Sequence, residues 1–174
     1  MATEIERRFL VSAEALETLH LDQQKGFTIH QGYITSSADQ NTCRVRITDD
    51  KATLTLKGKP HGPTRSEFEI PIPLDQAREI LQTLTVGTPI EKTRYKISHC
   101  GLIWEVDCFH GLNAGLIIAE VELEHNTQMI VLPTWVDREI TSVARYSNAS
   151  LAHNPYTRWA EDEKLAMHAK KPSA

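Results

Sequence analysis

Acidic and basic side chains recur at two-residue spacing along most of this chain, and that spacing is where its chemistry first shows. Glu4, Glu6 and Arg8 fall on one side of an extended N-terminal stretch, with Ile5, Phe9 and Val11 on the other. The same alternation returns at Arg44 and Arg46, at Lys57, at Arg65, Glu67 and Glu69, and at Lys92, Arg94 and Lys96. It returns again at Glu105 and Asp107, and at Glu120, Glu122 and Glu124. Guanidinium forks suit the oxygens of a polyanion. Carboxylates cannot approach such a ligand directly, but they can do so through Mg²⁺ or Mn²⁺, hard cations that take carboxylate oxygens on one side and phosphate oxygens on the other. Bases and metal-binding acids in one place are the equipment of phosphoryl transfer, where positioning and charge stabilisation dominate.

The elements that must position these groups read as strands. Eight extended segments are expected, at 2–10, 28–35, 42–48, 52–57, 65–72, 91–97, 102–109 and 117–124. Asp49-Asp50-Lys51 turns the third into the fourth as a hairpin. Helices are expected over 12–25, with Ser12 as N-cap and Gly26 as its end, and over 74–84 after Pro73, with Ala77, Ile80, Leu81 and Leu84 buried. A C-terminal helical segment spans about 142–171, broken at Pro155. Nothing divides the chain, so residues 1–174 are read as a single domain. The Gly58-Lys59-Pro60-His61-Gly62-Pro63 loop lacks the spacing of a phosphate loop.

Composition excludes several classes. The net charge is −4, with 40% hydrophobic and 24% charged residues, so no basic excess points to nucleic acid. No apolar run approaches the ~20 residues of a bilayer span, and the N-terminus is charged where a signal peptide is apolar. A cytoplasmic protein without membrane or nucleic-acid partners is expected, and self-association into a homodimer stays open. Cys43, Cys100 and Cys108 form neither a paired framework nor a zinc motif.

Sequential strands favour antiparallel pairing. An open sheet with its charged face to solvent satisfies the pattern. So does a closed barrel of about eight strands with charges inside and apolar faces under helices. The crowding of acids at Glu120, Glu122 and Glu124, which repel one another unless bases or a metal intervene, favours the barrel.

The residues resemble a known family. Glu4-Ile5-Glu6-Arg7-Arg8 is similar to the Glu-x-Glu-x-Lys signature of the CYTH superfamily, the triphosphate tunnel metalloenzymes. Arg44-Val-Arg46, Lys57, Arg65-Ser-Glu67-Phe-Glu69, Lys92-Thr-Arg94, Glu105-Val-Asp107, Glu120-Val-Glu122 and Arg145-Tyr146-Ser-Asn148 follow in that family's order. The signature usually ends in lysine. Arg8 keeps the charge but cannot serve as a titrating group. The resemblance implies an α+β fold built on a closed eight-stranded antiparallel tunnel, a triphosphate substrate and a divalent metal. It implies phosphate contacts at Arg8, Arg44, Arg46, Lys57 and Arg94, and metal ligation at Asp107, Glu120 and Glu122. Glu4 and Glu6 are expected at a second metal or at the attacking water. Tyr33 and Lys92, both placed toward the bore, are read as a pair in which the ammonium lowers the phenol pKa and makes a base.

The expected activity is metal-dependent hydrolysis of a triphosphate, with inorganic triphosphate first. The alternatives are an adenylate cyclase, a thiamine triphosphatase and a non-catalytic polyphosphate-binding tunnel. A receptor of the last kind needs the bases but not the acids Asp107, Glu120 and Glu122. Substitution Arg44→Ala is expected to raise KM for triphosphate at least tenfold in steady-state kinetics, roughly the contribution of one charge-assisted hydrogen-bonding group.

Overall fold

The computed structural model describes residues 5–35, 41–58, 66–161 and 163–164. Nine strands form one antiparallel sheet: β1 (Ile5–Val11), β2 (Phe27–Thr35), β3 (Thr42–Thr48), β4 (Lys51–Lys57), β5 (Glu67–Ile72), β6 (Val86–His99), β7 (Leu102–Phe109), β8 (Ile117–Leu123) and β9 (Val136–Glu139). Their spatial order is β5-β4-β3-β2-β6-β7-β8-β1-β9. The eight expected strands are all present, and β6 is much longer than the alternation of 91–97 suggested.

The expected closed barrel of eight strands is not what the chain builds. β1 lies between β8 and the unexpected β9, and Ile140 N–H donates to Arg8 C=O at 2.8 Å just beyond β9. Both edges of β1 are thus taken. The ladder, among the described residues, ends at β5 on one side and β9 on the other. It still curls strongly, because residues of β1, β3, β5 and β7 line one common cavity. β9 escaped sequence reading because it is four residues long, with charged Asp137, Arg138 and Glu139 giving no alternation.

Three apolar clusters hold this shape. On the outer face, α2 (Leu74–Thr83) lays Ala77, Ile80 and Leu81 over Val45, Ile47 and Ala52. Also outside, Trp104, fully buried, packs against Phe9 and edge-on to Trp135, with Val106, Ala119 and Val121 around them. The third cluster lies on the same strand faces as the charges. Leu10, Ile90, Phe109 and Ile118 each stand two residues from Arg8, Lys92, Asp107 or Glu120, and they pack with Tyr33, Leu151, Ala152 and Trp159. The inner face therefore changes from charged to apolar along its length, and the C-terminal segment covers the apolar end.

Two helical expectations are shortened. α1 (Ala13–Leu19) is capped by Ser12 and stops at His20, which adopts left-handed φ 46°, well before Gly26. The expected C-terminal helix becomes a 3₁₀ turn at Ala144–Tyr146, the short α3 (Asn148–His153) and a 3₁₀ turn at Tyr156–Arg158. Ser147, extended, breaks the first from the second and caps α3; residues 165–171 lie outside the described residues.

Gly87 lets α3 approach β6. Its φ is +73°, and a Cβ there would lie 2.6 Å from the Ala152 carbonyl oxygen. Gly101 shares the left-handed backbone, φ +80°, with nothing within 4 Å. Gly87→Ala is therefore expected to cost about 2–4 kcal/mol in denaturant unfolding, and Gly101→Ala about 1 kcal/mol.

Candidate functional site

The curled sheet encloses a cavity of about 1040 Å³, at the upper end of the range for small-ligand sites. Six acids (Glu6, Glu67, Glu69, Glu105, Glu120 and Glu122) and six bases (Arg8, Arg44, Arg46, Lys57, Arg94 and Lys96) line it. Their charges balance, so what matters is how they are sorted. Arg44, Arg46 and Lys57 stand on β3 and β4. Glu105, Glu120, Glu122 and Glu6 stand on β7, β8 and β1 with Arg8 beside them, Arg94 and Lys96 on β6 lie between the two walls, and Glu67 and Glu69 on β5 border the basic one.

The basic wall has spare capacity. Arg46 Nε donates to Gln31 Oε1 at 3.1 Å and has no ion pair among the described residues. Burial first, then repulsion from Arg44 and Arg94, pushes its guanidinium down to about 10. Arg44 Nη2 donates to Thr55 Oγ1 at 3.1 Å and is 3.7 Å from Glu69, while its buried Nε lacks a hydrogen-bond partner. Arg8 resembles it: Nη2 reaches the Thr141 carbonyl at 3.0 Å, and its buried Nε, 3.7 Å from Glu6 Oε1, has no hydrogen bond. Lys57 pairs with Glu67 at 2.7 Å. Crowded guanidiniums with unused buried N–H groups are stabilised by an anion that brings several oxygens at once.

The acidic wall is arranged differently. Arg94 donates from Nε to Asp107 Oδ1 at 2.6 Å, from Nη2 to Asp107 Oδ2 at 2.6 Å and to Glu120 Oε2 at 2.7 Å, and from Nη1 to Glu105 Oε2. Lys92 Nζ donates to the same Asp107 carboxylate. Burial pushes the Asp107 pKa up, but Lys92 and then Arg94 outweigh it and hold the group below its ordinary value. Glu122 is exposed to the cavity and makes no ion pair among the described residues, and it faces Glu6 across the β1–β8 pair.

These positions correct two expectations. Asp107 and Lys92 do not reach the cavity: each side chain is 1% exposed, and they bond to one another. Asp107 therefore stands behind the acidic wall rather than in it, two residues from Phe109, where the inner face passes into the apolar cluster. Tyr33 lines the cavity but pairs with Gln31, whose Nε2 donates to its hydroxyl at 3.3 Å, and not with Lys92. Burial raises its pKa despite Arg44 and Arg46, the opposite of the lowering expected from a neighbouring Lys92. Glu4 and Arg65 lie outside the described residues.

The donor set suits a hard divalent cation in chemistry, since Glu6, Glu120 and Glu122 offer carboxylate oxygens from two adjacent strands. No three acids converge on one point among the described residues as they stand, while Glu105 and Glu120 bond Arg94. Sequence reading passed over Gln31, Thr55, Ser147 and Asn148. The first two share strand faces with assigned residues; Asn148, whose buried Oδ1 lacks a partner, lies in a recognised landmark with no role attached.

A family model described as the CYTH domain matches residues 2–156. An inorganic triphosphatase of Acetivibrio thermocellus is 44% identical over 161 residues, covering 92% of this chain and 100% of that protein. One from Nitrosomonas europaea is 37% identical over 154 residues, covering 86% of this chain and 97% of its own. A crystal structure of an inorganic triphosphatase aligns with a TM-score of 0.67 at 34% identity, covering 87% of this chain and 95% of that one.

Removing Asp107 leaves the buried Lys92 ammonium without its ion-pair partner. Asp107→Ala is expected to cost about 3–5 kcal/mol by chemical denaturation, and the double variant with Lys92→Met to recover most of it. Because the folded pKa of Asp107 is depressed, its stabilisation is complete above about pH 4 and is lost as pH falls through the folded value.

Proposed function

The chain belongs to the CYTH family, and from that premise we propose that it is a divalent-metal-dependent hydrolase of a short triphosphate, inorganic triphosphate being converted to pyrophosphate and phosphate. The observation that carries this reading is the division of one cavity into a basic wall with unused donors and an acidic wall that suits a hard cation. The cation, Mg²⁺ or Mn²⁺, would supply charge neutralisation at the phosphate oxygens.

Each residue then has a task. Arg44, Arg46, Lys57 and Arg8 grip the phosphate oxygens, and the basic wall fixes the chain's register. Glu6, Glu120 and Glu122 are the groups that would hold the cation. Tyr33, kept protonated, donates a hydrogen bond to a phosphate oxygen. A water molecule attacks the terminal phosphorus, and its proton passes to the Glu6 carboxylate. The bond to the bridging oxygen breaks with its electron pair going to pyrophosphate, which leaves as orthophosphate forms. Arg8, unable to give up a proton, stabilises charge on the departing oxygen.

A compact substrate is favoured by the lining. Tyr33 is the single aromatic side chain there among the described residues, and Ser147, Asn148 and Ala149 line the cavity beside the covered apolar end. Tyr33 is only 6% exposed, and Ser147, Asn148 and Ala149 carry no ring on which a nucleobase could stack.

The test is phosphate release from inorganic triphosphate, ATP and thiamine triphosphate, each with Mg²⁺, Mn²⁺ or chelator. Fast release from inorganic triphosphate with metal, and none with chelator, is expected. Glu122→Gln should lower kcat by at least a hundredfold with a much smaller change in triphosphate binding by calorimetry. Metal-independent release, or cyclic nucleotide from ATP, would overturn the reading.

A further inference from the structure

Arg94 holds Glu120, one of the three acids, with Glu6 and Glu122, that would take a divalent cation. Its one planar guanidinium draws Glu105, Asp107 and Glu120 together from β7 and β8. A cation at Glu120 would take oxygens at about 2.0–2.6 Å, and Arg94 Nη2 already bonds Glu120 Oε2 at 2.7 Å. Both cannot use that oxygen fully at once.

Two features make Arg94 the group that yields. Asp107 is served twice, so Lys92 still neutralises it when the guanidinium moves. Arg94 also lines the cavity, whereas Lys92 is sealed behind it. On its other side stands the basic wall, where a further cation is unwelcome until an anion arrives.

We propose that Arg94 is the resident counter-ion of the acidic wall: a divalent cation binds at Glu6, Glu120 and Glu122 by displacing the guanidinium from Glu120, and the freed guanidinium turns to the phosphate chain. This rests on the hydrolase reading and deepens it, since metal and triphosphate then bind cooperatively without touching the same protein atoms. In the substrate-free protein Arg94 competes with the metal. Its removal strengthens metal binding although it removes a phosphate contact.

The test follows free Mn²⁺ by electron paramagnetic resonance while it is titrated into the substrate-free full chain. Arg94→Gln is expected to bind Mn²⁺ at least tenfold more tightly than the unaltered protein. Arg94→Lys should fall between them, because one ammonium cannot span three carboxylates, and it carries the test if circular dichroism shows Arg94→Gln unfolded. Glu120→Gln should bind more weakly. Binding by the unaltered protein with no gain in either Arg94 variant overturns the counter-ion role and leaves the hydrolase reading standing. No Mn²⁺ binding by any form, together with phosphate release in chelator, overturns the metal-dependent reading and the counter-ion role with it.

Discussion

The buried Asp107 carboxylate, shared between Lys92 and Arg94, is the interaction on which the rest of the site depends. Two cations on β6 and a row of acids on β7 and β8 would each be costly to enclose alone. Joined, they let three adjacent strands turn their charged faces inward. Asp107 sits where the inner face passes from charged to apolar, so it fixes both the electrostatics above it and the packing below. Phe109, two residues on, already belongs to the apolar cluster with Leu10, Ile90 and Ile118.

The apolar end explains why the C-terminal segment belongs to the site. Leu151, Ala152 and Trp159 cover that cluster, and Tyr146 and Tyr156 set their rings edge-on to Trp159. Arg145 lies over the same indole at 3.7 Å, a cation–π contact that ties the segment's two turns together. The segment thereby brings Ser147, Asn148 and Ala149 to the cavity. On the other side, β9 occupies the free edge of β1, and Thr141 just beyond it holds Arg8. Among the described residues an open but curled sheet results, whose strands from β1 to β8 line one cavity.

The arrangement also separates two kinds of basic residue that look alike. Arg44, Arg46 and Arg94 all sit at alternating strand positions, yet Arg46 bonds neutral Gln31 and Arg44 bonds Thr55 with one acid, Glu69, 3.7 Å away, while Arg94 bonds three acids. Only neighbouring strands make that difference, since Arg94 lies between β2 and β7 in the sheet and β3 lies beyond β2.

Alternation in the sequence determined which residues share a face, because a strand sends successive side chains to opposite sides whatever its neighbours are. That was enough to mark the charged lining residues from Glu6 to Glu122, the outward Trp104 and Val106, and the chemistry of an anion with a cation. It could not say which charges meet. Arg94 finds Glu105, Asp107 and Glu120 through pairing register, and Glu122 meets Glu6 the same way. Nor could it reveal that Asp107 and Lys92 are sealed off, that Tyr33 turns to Gln31, or that β9 takes the second edge of β1. Those outcomes depend on strand order, burial and the docking of a distant segment, which are long-range properties and leave no local period to read.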